Sequence, residues 1–165
     1  MRLTRLLLLM LSPLFLTACA FHQYILAPKG WDNHWKPEPD TVVVLLGTKA
    51  DEHVRYVYSI GDPAYDVTAP FHRKGVLNVL ALHRKVGETF QLEKVAFSEK
   101  NNLIHYASFD NAPVLNVDKP GIYYYGSFTS YGERSYLTTD FDPAIVDVAK
   151  DQYPYLFEQA KPVNF

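Results

Sequence analysis

The run Thr41-Val42-Val43-Val44-Leu45-Leu46 carries no polar side chain after its first residue. A half-solvated strand would alternate, so an unbroken, largely β-branched run predicts a strand covered on both faces, at the centre of a sheet. Short apolar runs bounded by turn residues follow it. Val54 to Ile60 alternates through Val54, Tyr56, Tyr58 and Ile60, as a strand with one apolar face would. Val76 to Leu82 reads as another strand. In Thr89 to Phe97 the apolar phase moves from Phe90 and Leu92 to Val95 and Phe97, and a β-bulge near Glu93-Lys94 would return both pairs to one face. Glu99-Lys100-Asn101-Asn102 then supplies a turn, and Leu103 to Phe109 should return beside the bulged strand.

Asp118-Lys119-Pro120-Gly121 is a turn signal, since proline pre-sets φ at i+1 and glycine accepts the positive φ of a type II turn begun by Lys119. Ile122 to Thr129 follows as a strand, and Ser130-Tyr131-Gly132-Glu133 would turn it back into Arg134 to Thr138. After that hairpin the period changes. Asp142 is placed to cap a helix with Pro143 at its first position, and Ile145, Val148, Ala149 and Tyr153 form a stripe at helical spacing. Pro154 should end or kink the helix near Tyr153, and Leu156, Phe157 and Ala160 extend its apolar face. The expected fold is mainly β, an antiparallel β-sandwich over 41–165 with a C-terminal α-helix at about 142–160 that closes one side of a sheet.

The N-terminus has a different composition. Arg2 and Arg5 precede an apolar run, Leu6 to Leu11 and Leu14 to Leu16, broken by Ser12 and Pro13. A membrane-spanning helix needs about 20 apolar residues. This shorter run has the order of a secretory signal peptide: basic start, apolar middle, small residues before a cut. Leu16-Thr17-Ala18-Cys19 resembles the lipobox of bacterial lipoproteins, which implies cleavage after residue 18 and lipidation of Cys19. A free thiol beside an ordinary cleavage site after Ala18 or Ala20 is the alternative, but the chain has one cysteine and would leave it unpaired in an oxidising compartment. By the same resemblance a diacylglyceryl thioether anchors the chain to the bilayer. Ala20, rather than an aspartate, after the cysteine points to the periplasmic leaflet of the outer membrane.

Cleavage would leave 147 of the 165 residues and reduce the basic residues from 16 to 14 against 18 acidic ones, for a formal net charge of −4. Nothing in that balance suggests a nucleic-acid partner. A chain of this length can bury a core without disulfides. Residues 19–40 hold Pro28, Gly30, Pro37 and Pro39 and read as a tether, about 25 Å in root-mean-square span if flexible. Trp31 and Trp35 fit three uses within it: docking on the domain, resting among headgroups, or contacting a ligand. Gly87-Glu88-Thr89-Phe90-Gln91-Leu92 and Lys119-Pro120-Gly121-Ile122-Tyr123-Tyr124-Tyr125-Gly126 resemble turn-into-strand segments of small lipoproteins with immunoglobulin-like or prealbumin-like sandwiches, although Val86 stands where those often have proline.

No motif declares a reaction. His22, His34, His53, His72, His83 and His105 include no pair at helical metal-ligand spacing, so no metal and no cofactor is expected; His72, His83 and His105 could meet only through the fold. No Gly-x-Ser-x-Gly elbow or phosphate loop occurs. Lipidation would remove the sole thiol from nucleophilic chemistry. Asp110, Asp118, Glu133, Asp140 and Asp142 could form an acid pair only if folding brought two together.

Tyrosines are the best functional lead. Tyr123 and Tyr125 alternate with Tyr124 along one strand, so rings must project from both faces. Either they pack beneath the C-terminal helix, or one set joins Tyr131 or Tyr136 in a platform for a glycan, a peptide or an envelope protein. The expected function is therefore non-enzymatic binding by an envelope lipoprotein. Two alternatives stand beside it: an envelope hydrolase with an acidic or histidine site not visible as a motif, and an accessory subunit of a secretion or cell-wall assembly.

Overall fold

A computed structural model describes residues 40–61, 64–67, 74–98, 104–132 and 134–165. Cys19, Trp31, Trp35, His22, His34, His72 and Glu133, with the signal and tether readings, lie outside the described residues. The strands are β1 (Thr41–Ala50), β2 (His53–Ser59), β3 (Tyr65–Asp66), β4 (Asn78–Lys85), β5 (Thr89–Phe90), β6 (Leu92–Ser98), β7 (Ile104–Ser108), β8 (Leu115–Asn116), β9 (Gly121–Tyr131) and β10 (Arg134–Thr138). Two helices follow, α1 (Pro143–Gln152) and α2 (Pro154–Gln159).

The protein is mainly β, with a sandwich-like arrangement of a β10-β9-β1-β4 sheet and a β3-β2-β6-β7 sheet, plus a small β5-β8 pair. β1 lies inside the first sheet, as its composition requires. Val42, Val44 and Leu46 point into the core between the sheets, while Val43 and Leu45 pack against Ile145, Ala149, Tyr153 and Leu156 of the helices. One ladder departs from the antiparallel expectation: β1 and β9 run parallel. A strand covered on both faces suits that pairing.

Three bulges set which residues reach the core. Arg55 has no partner between the pairs Val54–Phe97 and Tyr56–Ala96, so Val54 and Val57, not Tyr56 and Tyr58, face inward, and Ile60 is left exposed. The expected alternation from Val54 to Ile60 is thereby corrected. Glu93 is skipped between Tyr58–Lys94 and Ser59–Leu92, and the bulge there does bring Leu92, Val95 and Phe97 to one face. Thr89 to Phe97 is nevertheless not one strand. It breaks at Gln91, whose side-chain amide donates to the Ala112 carbonyl at 2.8 Å, and Phe90 belongs to the β5–β8 pair. The third bulge is Tyr125, extra between Leu45–Tyr124 and Leu46–Gly126.

The helical tail follows its sequence signals. The Asp142 carboxylate accepts from the Ala144 N–H at 2.9 Å, and α1 ends just before Tyr153 and Pro154. Beyond α2 the chain returns to the sheet: the Ile122 N–H donates to the Lys161 carbonyl, and the Val163 N–H to the Ile122 carbonyl, both at 2.9 Å. That return explains Gly121. Its φ of +141° is wider than a type II turn needs, and a Cβ there would lie 2.7 Å from the Lys161 oxygen.

Gly126 is the tightest backbone position in the β9–β10 hairpin, with φ +133° and the Thr138 carbonyl in the way of any Cβ. Gly126→Ala should cost about 2–4 kcal/mol, from strain plus steric displacement. Gly61→Ala, with positive φ but open space around it, should cost only about 1–2 kcal/mol. Urea unfolding midpoints of the two variants check the order; equal losses would contradict the packing account.

Candidate functional site

Tyr123 and Tyr125 do not form a platform. Both are buried in the core between the sheets, and Tyr124 is buried on the opposite face, under the helices. Each phenol is apolar along its ring and must satisfy its hydroxyl at the tip. The Tyr123 hydroxyl donates to Asp118 Oδ1 at 2.7 Å and accepts from the Lys119 N–H at 3.2 Å. The Tyr124 hydroxyl donates to the Asp140 carbonyl at 2.8 Å and accepts from the Asp142 N–H at 3.1 Å. The Tyr125 hydroxyl donates to the Pro113 carbonyl at 2.8 Å and accepts from the Leu92 N–H at 3.0 Å. Three successive tyrosines thus fasten three loops.

Tyr131 and Tyr136 stay exposed, at 46% and 56%. They oppose Arg134 and Thr129 in the hairpin, so they share the outer face of the helix-bearing sheet, diagonal to each other. The four candidate tyrosines are therefore split between core and surface.

The structure assembles a different aromatic group, on the outer face of the second sheet. The Arg55 bulge turns Tyr56 and Tyr58 outward, and Tyr106 of β7 joins them, 54% exposed. Ring centroids are 6.2 Å apart for both Tyr56–Tyr58 and Tyr58–Tyr106. Lys94 Nζ sits 4.9 Å from the Tyr58 centroid and 5.8 Å from that of Tyr106, within cation–π range. Ala96, opposite both Tyr56 and Tyr106, is a fully buried floor between the rings. Burial and the neighbouring Tyr106 raise the Tyr58 pKa. Sequence reading missed this group because alternation placed Tyr56 and Tyr58 on the apolar face with Val54, and the Arg55 bulge that turns them outward is set by pairing with β6.

Of the described candidate histidines, His83 and His105 do not converge. His83 lies on β4 and His105 on β7, at opposite edges of the sandwich. His105 Nε2 is 3.1 Å from Glu52 Oε2, and its ring stacks on Phe97 at 5.2 Å. A cavity of about 290 Å³ opens beside it, lined by His105, Ser108, Gly132 and Ser135 among others. Two of the candidate carboxylates have structural duties: Asp142 caps α1 and Asp118 holds Tyr123. Arg84, absent from the sequence candidates, is buried; it donates to the Tyr65 hydroxyl and the Thr89 carbonyl and lies 3.4 Å from Glu88, tying β4 to β5. Among the described residues no cluster of three or more His, Cys, Asp or Glu could hold a metal, and no helix is long and apolar enough to cross a membrane. No protein family, curated protein or solved structure was found to match the chain.

Alkaline pH tests the fastening role. Burial is the main cause that raises the pKa values of Tyr123, Tyr124, Tyr125 and Tyr153, and it pushes Tyr155 up to about 12. A phenol whose folded pKa exceeds the ordinary value of about 10 contributes stability that is complete below pH 10 and lost as pH rises through the folded value. The urea midpoint should hold to about pH 9.5 and fall steeply beyond it, with phenolate absorbance at 295 nm appearing in step with unfolding. Full ionisation of these tyrosines in a still-folded chain would contradict the assignment.

Proposed function

We propose that the protein is a lipid-anchored envelope lipoprotein whose sandwich is a non-enzymatic binding module. Acylated Cys19 holds it in the outer membrane's periplasmic leaflet, and the ligand is an envelope component. The observation that carries the binding reading is the contrast between the two outer sheet faces. Helices bury one, whereas Tyr56, Tyr58 and Tyr106 around Lys94 leave the other aromatic and open. Rings with polar tips suit recognition surfaces because they add contact area while losing little conformational freedom.

The hydrolase alternative draws on Glu52–His105 beside the polar cavity. It is the weaker reading, because the Ser135 hydroxyl donates to Ser130 at 2.9 Å rather than to a base. A subunit of a larger assembly would use the same aromatic face and differs only in the permanence of the partner.

Cys19→Ala should move the protein from the membrane to the soluble periplasmic fraction with its melting temperature within about 2 °C of wild type; retention in the membrane would refute the anchor. In detergent-solubilised envelope, Tyr58→Ala/Tyr106→Ala should lose at least tenfold of any stoichiometric partner co-purified by wild type. The double variant should keep the wild-type far-ultraviolet circular dichroism, since both rings stand on the surface.

A further inference from the structure

The sheet edges are not treated alike. On edge strand β4 the Val79 N–H donates to Gln152 Oε1 at 3.1 Å, the Val79 carbonyl accepts from the Tyr153 hydroxyl at 2.8 Å, and the His83 carbonyl accepts from the Tyr65 hydroxyl at 3.3 Å. Where β10 no longer reaches β9, Asn164 takes over, accepting from the Tyr124 N–H at 2.7 Å and donating to its carbonyl at 2.9 Å. β7 has no comparable cover. The Phe109 N–H donates to the Glu93 carbonyl at 2.8 Å. Bonding alternates along an antiparallel ladder, so Tyr106 and Ser108 direct their N–H and C=O groups away from β6. Among the described residues no partner receives them.

Those groups face a cleft whose other wall is β10, the free edge of the first sheet. Two cavities lie along it: the one of about 290 Å³ by His105, and one of about 310 Å³ lined by Phe109, Pro113 and Leu137 among others. Phe109 and Leu137 are only partly covered extensions of the main core. β7 reads Ile104-His105-Tyr106-Ala107-Ser108, without the lysine or proline that commonly guards an edge.

We propose that this cleft accepts a strand: an extended peptide of a partner protein pairs with β7, and alternate side chains of that peptide enter the two cavities. The occupant follows from the chemistry of the walls. Tyr106 and Ser108 repeat a donor and an acceptor every two residues, about 6.8 Å, and another β-strand is the ligand that carries the complementary repeat. A glycan does not. The larger cavity selects an apolar side chain, because Phe109 and Leu137 form its floor. On the outer side Ile104 and Tyr106, 46% and 54% exposed, give the peptide's other side chains a surface continuous with the tyrosine group. The inference rests on the reading of this protein as a binding module and names its ligand class.

Random dodecapeptides displayed on phage and selected against the full-length protein in detergent are the probe. Enriched peptides should carry an apolar residue two positions from a polar one, slow hydrogen exchange across residues 104–109 at least tenfold, and bind Ser108→Pro at least tenfold more weakly. Proline at 108 removes one donor that faces the cleft and leaves the β6 ladder intact, so the variant should fold. Ser135→Trp, which fills the cleft from β10 without altering β7, should weaken binding equally, while Ser108→Ala should not. Failure to enrich peptides, equal binding to wild type and both blocking variants, or protection confined to Tyr56 and Tyr58 overturns the proposal. So does a dimer of this chain that itself protects 104–109. The wider reading fails by a different result: captured peptides but no envelope partner retained by wild type.

Discussion

A strand with apolar side chains on both faces must find a cover for each face and a hydrogen-bond partner for each edge. β1 imposes that demand, and the rest of the chain is arranged around it. Its edges are taken by β4 and β9, its inner face by the second sheet, and its outer face by α1 and α2. Gly47 shows how closely the helix approaches, since a Cβ there would lie 2.7 Å from Ile145 Cδ1 and 2.8 Å from Ser127 Cβ. The late position of α1 in the chain follows. The helix has a face to cover only once β9 has joined β1, and β9 must first be reached through the whole second sheet.

The tyrosine hydroxyls do the fastening that disulfides perform in many exported domains. Tyr123, Tyr124 and Tyr125 reach the 118–119 bend, the entrance to α1 and the loop before β8, while Tyr153 reaches the edge of β4. Each hydrogen bond contributes about 1 kcal/mol net, and each ring adds apolar burial. A tyrosine-rich sequence of this kind signals internal polar satisfaction as much as external binding. That is why Tyr123 and Tyr125 were poor candidates for a surface and good ones for a core.

Much of the fold was legible because it is written in local chemistry. The unbroken run at 42–46 gave a central strand, Asp142-Pro143 gave a helix start, Pro154 gave its end, and the phase change after Leu92 gave the Glu93 bulge. The misses share one cause. Arg55 and Tyr125 bulge because of which strands they pair with, and pairing partners cannot be read from period-2 alternation within one segment. The parallel β1–β9 ladder is likewise non-local, joining residues about 80 apart. The aromatic group at Tyr56, Tyr58 and Tyr106 depended on the first of these: the return of β7 beside β6 was expected, but without the Arg55 bulge Tyr56 and Tyr58 would not face outward to meet it. Arg84 was illegible for another reason: a lone arginine in an apolar stretch becomes interpretable only when Tyr65, Thr89 and Glu88 are seen around it.

Covered and uncovered edges differ in place as well as in chemistry. β1 enters the sheet beside Gly121 and leaves it beside Ser130, and its ten residues span about 33 Å. The cavity by His105 and Gly132 lies near the β1–β2 turn, at the end of β1 remote from its entry. The edges that the fold closes are those of β4 and of the first residues of β9, where α1 and the C-terminal residues already lie. β7, whose outward groups no later described segment returns to cover, is left to the cleft it shares with β10.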